Sequence, residues 1–268
     1  MRQSVLDPMV KISKLTKVYS RQGRSTTALQ GIDLDIGDGE FVCVVGPSGC
    51  GKSTLLNILG GLDHPTQGTI QFCRQEVGRP QFSIVFQEHG TFPWMSVLDN
   101  TAFGLRVRGV PVDERRAIAK STLDLFGLGD FIHYYPDQLS GGMRQRVNVA
   151  RAFANDPLIL LMDEPFAALD EQTKLLAQND LLHIWESKRK TVLFITHGVD
   201  EAIRLSDRII VMTARPGRIK LNLKINLPRP RDLFALQSND EYNHIRGQVW
   251  SALREEVLSA RASTGGIV

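Results

Sequence analysis

Phe41-Val42-Cys43-Val44-Val45-Gly46-Pro47-Ser48-Gly49-Cys50-Gly51-Lys52-Ser53-Thr54 is the stretch that decides the architecture. Its first five residues are apolar without alternation, the pattern of a strand covered on both faces, as in parallel sheets flanked by helices. Gly46 to Ser53 then matches G-x-x-x-x-G-K-[ST], and helical periodicity from Thr54 to Leu59 follows, which is the strand-loop-helix context a phosphate loop requires. Glycines let the backbone fold tightly enough for several N–H groups to face a β-phosphate. Lys52 supplies a point charge to the β and γ oxygens, and the Ser53 hydroxyl is a hard donor for Mg²⁺. Gly46, Ser48, Gly49, Cys50, Gly51, Lys52, Ser53 and Thr54 are therefore the candidate binding residues for ATP, with Mg²⁺ as the accompanying ion.

Outward from this loop, Leu158–Met162, Val192–Ile195 and Ile209–Met212 repeat the continuous apolar pattern of buried parallel strands. Val10–Ile12, Leu34–Ile36, Thr69–Phe72 and Ser83–Phe86 alternate instead, and read as antiparallel strands with one wet face. Helical patterns separate the buried strands, so the class is α/β, with an antiparallel β subdomain. Between about residues 92 and 156 the strand pattern gives way to helical segments such as Val112 to Phe126, which predicts an inserted helical subdomain. The main domain is expected to span 1–215. A short extension, 216–268, follows, with two strand-like pieces, the stiff Leu227-Pro228-Arg229-Pro230-Arg231-Asp232 linker and an amphipathic helix from about Tyr242 to Arg261.

With 268 residues, 42% hydrophobic and 23% charged, the chain has the composition of an ordinary globular protein. A net charge of +3, spread along the chain, makes a poor electrostatic footprint for nucleic acid, and no nucleic-acid partner is expected. Cys43, Cys50 and Cys73 have neither metal-ligand spacing nor the density of a disulfide scaffold, which fits a reducing cytoplasm. No segment approaches the roughly 18 apolar residues of a membrane span, so work at a membrane needs another chain to cross it.

The strand Leu158–Met162 ends in the adjacent carboxylates Asp163 and Glu164. Ligands of open α/β sheets gather beyond the carboxyl ends of the strands. Alternation gives the two acids different tasks: Asp163 to hold Mg²⁺, usually through water, and Glu164 to face the water that attacks the γ-phosphate. Two other strands end in Thr196-His197 and Phe86-Gln87, which brings His197 and Gln87 into the candidate set. Leu139-Ser140-Gly141-Gly142-Met143-Arg144-Gln145-Arg146 opens a run that reads as helix through Ala154. Free N–H groups and the positive end of a helix dipole make Ser140, Gly141 and Gly142 a second anion site.

Taken together, these residues resemble the ATP-binding subunits of ABC transporters, over Val10 to about Thr213. The resemblance identifies Gly46–Ser53 as Walker A, Gln87 as the Q-loop glutamine and a Mg²⁺ ligand, Leu139–Arg146 as the signature, and Asp163-Glu164 as Walker B. Ala168-Leu169-Asp170 is similar to the D-loop, His197 to the switch histidine, and Tyr19 to the aromatic that stacks on adenine. It implies a head-to-tail dimer in which each ATP lies between one subunit's glycine loop and the other's signature, so the second anion site serves the neighbour's nucleotide. Departures are Met143 where many signatures have Gln, Ala167 where some members have Ser, and Gly198 where Asp is common; the last is expected to leave the loop after His197 less defined.

Phe92-Pro93-Trp94-Met95-Ser96-Val97-Leu98-Asp99-Asn100 and the Pro-rich linker resemble the nitrate/sulfonate/taurine importer branch. That implies a second copy or a paralogous ATPase subunit, transmembrane permease subunits docked near Phe92 and Trp94, and indirectly a solute-binding protein, with the chain peripheral on the cytoplasmic face of the plasma membrane. Two other classes remain open: a soluble ABC ATPase of cofactor assembly or DNA maintenance, and a kinase sharing only the glycine loop. Long coiled-coil insertions and zinc-binding cysteines would mark the first, and the second leaves the signature and Glu164 without a role.

Overall fold

The computed structural model describes residues 8–21, 23–87 and 90–264. In chain order the elements are β1 (Pro8–Arg21), β2 (Arg24–Gly37), β3 (Phe41–Val45), α1 (Lys52–Leu59), β4 (Gln67–Phe72), β5 (Phe82–Val85), α2 (Val97–Thr101), α3 (Phe103–Val107) and α4 (Val112–Leu125). After them come α5 (Gly141–Ala154), β6 (Ile159–Asp163), α6 (Glu171–Lys188), β7 (Thr191–Ile195), α7 (Val199–Leu205), β8 (Arg208–Met212), β9 (Ile219–Lys224), α8 (Leu233–Gln237) and α9 (Asp240–Thr264). The chain forms two compact units, one running to Arg74 and resuming at Thr191, the other running from Gln75 to Lys190.

In the first unit β1 and β2 form a long antiparallel ribbon, and β4 pairs antiparallel with the other edge of β1. The alternation of Val10, Ile12, Leu34 and Ile36 buries these residues on one face, as a half-wet sheet requires. β3 lies between β7 and β8, parallel to both, and β9 closes this edge antiparallel to β8. Every residue of β3 and β7 is buried, and Phe41 meets Phe194 at 5.8 Å between ring centroids. Burial on this scale is worth about 1.5–3 kcal/mol for each large aliphatic side chain, which is why the apolar runs cannot be interrupted.

In the second unit β5 pairs with β6 in parallel, and α5 packs against α2, α3, α4 and α6. Phe126 and Phe153 meet edge-on at 5.7 Å, and Trp185 of α6 is fully buried.

Three expectations need correction. Ser83–Phe86 alternates but is not antiparallel: Phe82–Val85 runs parallel to β6. Its half-exposure, with only Val85 buried, produces the alternation that mimics an antiparallel strand. Among the described residues after Pro216 there is one strand, β9, rather than two, and the linker leads into the short helix α8. The linker is pinned by Arg231, whose buried guanidinium donates to the carbonyls of Ile203, Ser206 and Leu227 at 2.7, 2.6 and 2.9 Å. Nor is the loop after His197 loose. Gly198 caps α7 with its N–H donated to Thr196 Oγ1 at 2.9 Å, and Thr196 in turn bonds the Glu201 carboxylate. A Cβ at Gly198 would lie 3.2 Å from Glu201 Cβ, so the small residue is part of a tight cap.

Among the described residues no helix is long and apolar enough to cross a membrane.

Candidate active site

In the first unit, Gly46 to Gly51 connect the buried end of β3 to α1. Gly49 and Gly51 adopt φ of +73° and +106°, which other residues rarely do, and a Cβ at Gly51 would lie 2.7 Å from Leu29 Cδ2. Lys52 is buried, with Nζ donating to the carbonyls of Gly46 at 2.8 Å and Pro47 at 3.1 Å, so its charge stands inside the loop. α1 has no side-chain cap at its N-terminus and no acid in its first turn, which leaves the positive end of its dipole to an anion. Ser48, Gly49 and Ser53 are exposed, Thr54 is half-buried, and Cys50 is buried. Burial pushes the Cys50 thiol up despite nearby Lys52, so Cys50 stays a neutral filler of the loop.

Tyr19 stands on β1 with 43% of its surface exposed, its hydroxyl donating to Asp63 Oδ2 at 2.7 Å. Lys17 Nζ lies 2.5 Å from Asp63 Oδ1 and 4.8 Å from the Tyr19 ring centroid. Lys17, with help from Tyr19, holds the Asp63 carboxyl at about 2, while burial and the Asp63 bond raise the tyrosine. The nearby Thr54 hydroxyl works against that rise, so the tyrosine hydroxyl stands close to the helix that opens at Lys52. An exposed ring face with an anchored edge is what stacking on a flat heterocycle needs. Asp63 lies 44 residues from Tyr19, and no local pattern announces the pair. At the end of β7, His197 is exposed, two residues before α7.

In the second unit, Asp163 is the last residue of β6 and is half-buried. Glu164 follows with φ of +46°, a left-handed conformation that strains a non-glycine residue by about 1–3 kcal/mol. The strained bend carries Glu164 into a turn closed by the Ala167 N–H on its carbonyl at 3.1 Å. Asp170 caps α6, accepting the Thr173 N–H at 3.0 Å, and Thr173, through its hydroxyl first and its N–H second, holds the carboxyl below the usual range. Gln87 is exposed, two residues past β5.

Ser140 caps α5, its Oγ accepting the Met143 N–H at 3.2 Å, and no acid occupies the first turn. The two glycines after it have different surroundings. A Cβ on Gly141 would find nothing closer than Arg144 Nη2 at 3.9 Å, whereas one on Gly142 would lie 2.4 Å from Thr173 Cγ2 of α6. Gly142→Ala is therefore expected to destabilise the chain by about 1–3 kcal/mol, and Gly141→Ala by much less. Denaturant unfolding of both variants checks this; equal midpoints would refute the close approach of α5 to α6.

Trp94 is 70% exposed in a loop that Asn100 makes rigid. The buried Asn100 amide donates to the carbonyls of Phe92, Met95 and Ser96 at 3.1, 2.9 and 3.0 Å, and its oxygen accepts the Phe92 N–H at 2.7 Å. Phe92 in turn packs against Phe103 and Trp94 at 4.6 and 5.7 Å, with the Arg151 guanidinium 5.2 Å from its ring centroid.

The donors present fit a triphosphate and a hard cation. Lys52 and the uncapped start of α1 offer charge and N–H groups to an anion, and Ser53, Asp163 and Gln87 carry oxygen donors of the kind Mg²⁺ takes. Among the described residues there is no cluster of three or more His, Cys, Asp or Glu that could hold a metal.

The family model described as ABC transporter matches residues 29–167. An uncharacterized ABC transporter ATP-binding protein of Methanocaldococcus jannaschii is 49% identical over 253 residues, covering 94% of this chain and 93% of that protein. The nitrate import ATP-binding protein NrtD of Synechocystis is 47% identical, covering 91% and 95%. The aliphatic sulfonates import ATP-binding protein SsuB of Bacillus cereus is 42% identical, covering 90% and 94%. A solved dimeric bacterial ABC transporter cassette superposes with a TM-score of 0.72 at 35% identity, over 82% of this chain and 100% of that one. A post-hydrolysis dimeric cassette bound to ADP and Pi gives 0.71 over the same shares. From its glycine loop, its Ser140-capped helix and its likeness to these proteins over nearly the whole chain, the protein belongs to the ABC transporter family as an ATP-binding cassette, an ATPase.

Proposed function

We propose that this chain is the ATP-hydrolysing subunit of an importer for a small anionic solute of the nitrate, sulfonate or taurine kind. The observation that carries the reading is the pair of helix N-termini left without carboxylates, α1 with Lys52 and α5 with Ser140. In this reading a second copy, or a paralogous subunit, brings its Ser140-Gly141-Gly142 segment to the ATP held by the first chain's loop. Tyr19 stacks on the base, while Gly46, Ser48, Gly49, Cys50, Gly51 and Thr54 shape the loop around the phosphates. Lys52 binds the β and γ oxygens. Glu164 takes the proton of the attacking water, His197 and Gln87 are the other catalytic residues beside the γ-phosphate, and Asp170 joins the residues that bind the nucleotide. Ser53, Asp163 and Gln87 would hold Mg²⁺, which when bound neutralises charge on the phosphate oxygens.

Import is supported by the names of the relatives NrtD and SsuB and by the rigid, exposed Trp94 loop. Permease subunits dock there, placing the chain on the cytoplasmic face of the membrane, and a solute-binding protein acts through them. The test is co-purification from native membranes, followed by ATPase assays of the complex with its binding protein and nitrate, an alkanesulfonate or taurine. One solute should accelerate hydrolysis. Trp94→Ala is expected to weaken assembly with the multi-span partner by about tenfold or more while ATP binding by the chain alone persists. Isolation of the chain free of any membrane partner would favour a soluble ABC ATPase. Unchanged assembly in Trp94→Ala would return Trp94 to local packing.

A further inference from the structure

Between β8 and β9 the chain turns through Thr213-Ala214-Arg215-Pro216-Gly217-Arg218, a segment with no part in the chemistry above. Arg215 extends from this turn to the phosphate loop, where Nε and Nη2 donate to the Gly49 carbonyl at 3.3 and 3.2 Å. Gly49 is one of the loop's left-handed glycines, so the peptide that follows it has unusual freedom to rotate. A peptide unit is planar and trans, and its C=O and N–H point in opposite directions. By gripping the Gly49 oxygen, Arg215 aims the Cys50 N–H the other way, toward the Pro47 carbonyl 3.3 Å across the loop. Gly49 is exposed, and water would satisfy its carbonyl at little cost to the fold, so the main consequence of this fork is orientation.

The turn is itself held from two sides. Gly217 donates to the Ala28 carbonyl and accepts the Gln30 N–H, each at 2.9 Å, which fastens the turn to β2. From the other side comes α9, whose Glu256 Oε2 accepts the Ala214 N–H at 2.8 Å, one residue before Arg215. Lys220 Nζ bonds Glu256 Oε1 at 2.7 Å and Glu255 Oε2 at 2.6 Å. Burial opposes the Glu256 carboxylate, but Lys220 and the Ala214 N–H outweigh it and hold its pKa below the ordinary range. A continuous path of bonds thus runs from the C-terminal helix through Ala214 and Arg215 to the backbone of the glycine loop.

We propose that Arg215 is a positioning residue for the phosphate loop, set in place by Glu256, and that α9 thereby tunes the affinity of the loop for the triphosphate of ATP. The proposal rests on the assignment of Gly46–Ser53 to ATP, and Lys52→Ala separates the two. ATP with Mg²⁺ is titrated calorimetrically into the full chain, alongside kcat, KM and thermal melting. Arg215→Ala should raise Kd and KM about 3- to 10-fold while kcat and the melting temperature stay near wild type. Arg215→Lys should recover part of the affinity, because an ammonium can donate to the carbonyl but cannot reproduce the planar fork. Glu256→Ala should raise Kd in the same direction, and combining it with Arg215→Ala should add little.

An unchanged Kd in Arg215→Ala, with ATP binding lost in Lys52→Ala, would overturn the proposal and leave the loop assignment standing. Retention of ATP by both variants would sink the assignment itself. A raised Kd accompanied by a fallen kcat and melting temperature, with no recovery in Arg215→Lys, would overturn the positioning role in favour of a folding defect. Additive losses in the double variant would break the link to Glu256.

Discussion

Glu164→Gln is expected to bind ATP and Mg²⁺ as the unaltered chain does, and to hydrolyse ATP about 10²- to 10⁴-fold more slowly. Glutamine keeps the size of the side chain but cannot take a proton from water. Lys52, Ser53 and Asp163, the proposed ligands of the phosphates and the ion, are untouched. Glu164 sits at φ of +46° in the bend that follows β6, a conformation glutamine can keep as readily as glutamate, so the substitution leaves the backbone as it is. An ATP-bound dimer should then accumulate, visible by light scattering as a doubling of mass. Turnover within a few-fold of wild type would place the base elsewhere.

The second large effect concerns two inactive variants that restore each other. Lys52→Ala removes the charge from the glycine loop, and Ser140→Arg fills the start of α5 with bulk. Each homodimer should lose nearly all ATPase activity, since both of its composite sites carry the defect. When the two are mixed, a heterodimer gathers both lesions into one site and leaves the other with an intact Lys52 and an intact Ser140. Random pairing makes about half of the dimers mixed, each with one good site of two, so at most roughly a quarter of wild-type activity returns if sites act independently. Strong coupling between sites shrinks that recovery, so nucleotide trapping on a Glu164→Gln background is measured alongside. No recovery of either signal, with heterodimers verified, would mean that the Ser140 segment does not complete a neighbour's site.

Both predictions rest on features readable before any folding, because their chemistry is local in the chain. Phe41–Val45 has no polar residue to place against water, so it becomes a covered strand, and the glycines that follow fit the left-handed turns that lead into α1. Ser140 caps α5, and the helix runs to Ala154 as the pattern implies, since a cap and its N–H partner lie three residues apart. Asp163 closes β6 because a carboxylate ends the apolar run.

Tertiary structure alone decided the rest, because the groups involved are distant in the chain and leave no periodic trace. Alternation in Ser83–Phe86 records which residues meet solvent, and only pairing with β6 made that strand parallel. Gly142 looks like half of a flexible pair until Thr173 arrives within 2.4 Å of its missing Cβ. Asp63 anchors Tyr19 across 44 residues, and Arg215 reaches Gly49 across 166. Composition and spacing determined the covered strand β3, the glycine loop after it and the capped start of α5. Which side chains hold those residues in place was settled when packing brought remote parts of the chain within hydrogen-bonding distance.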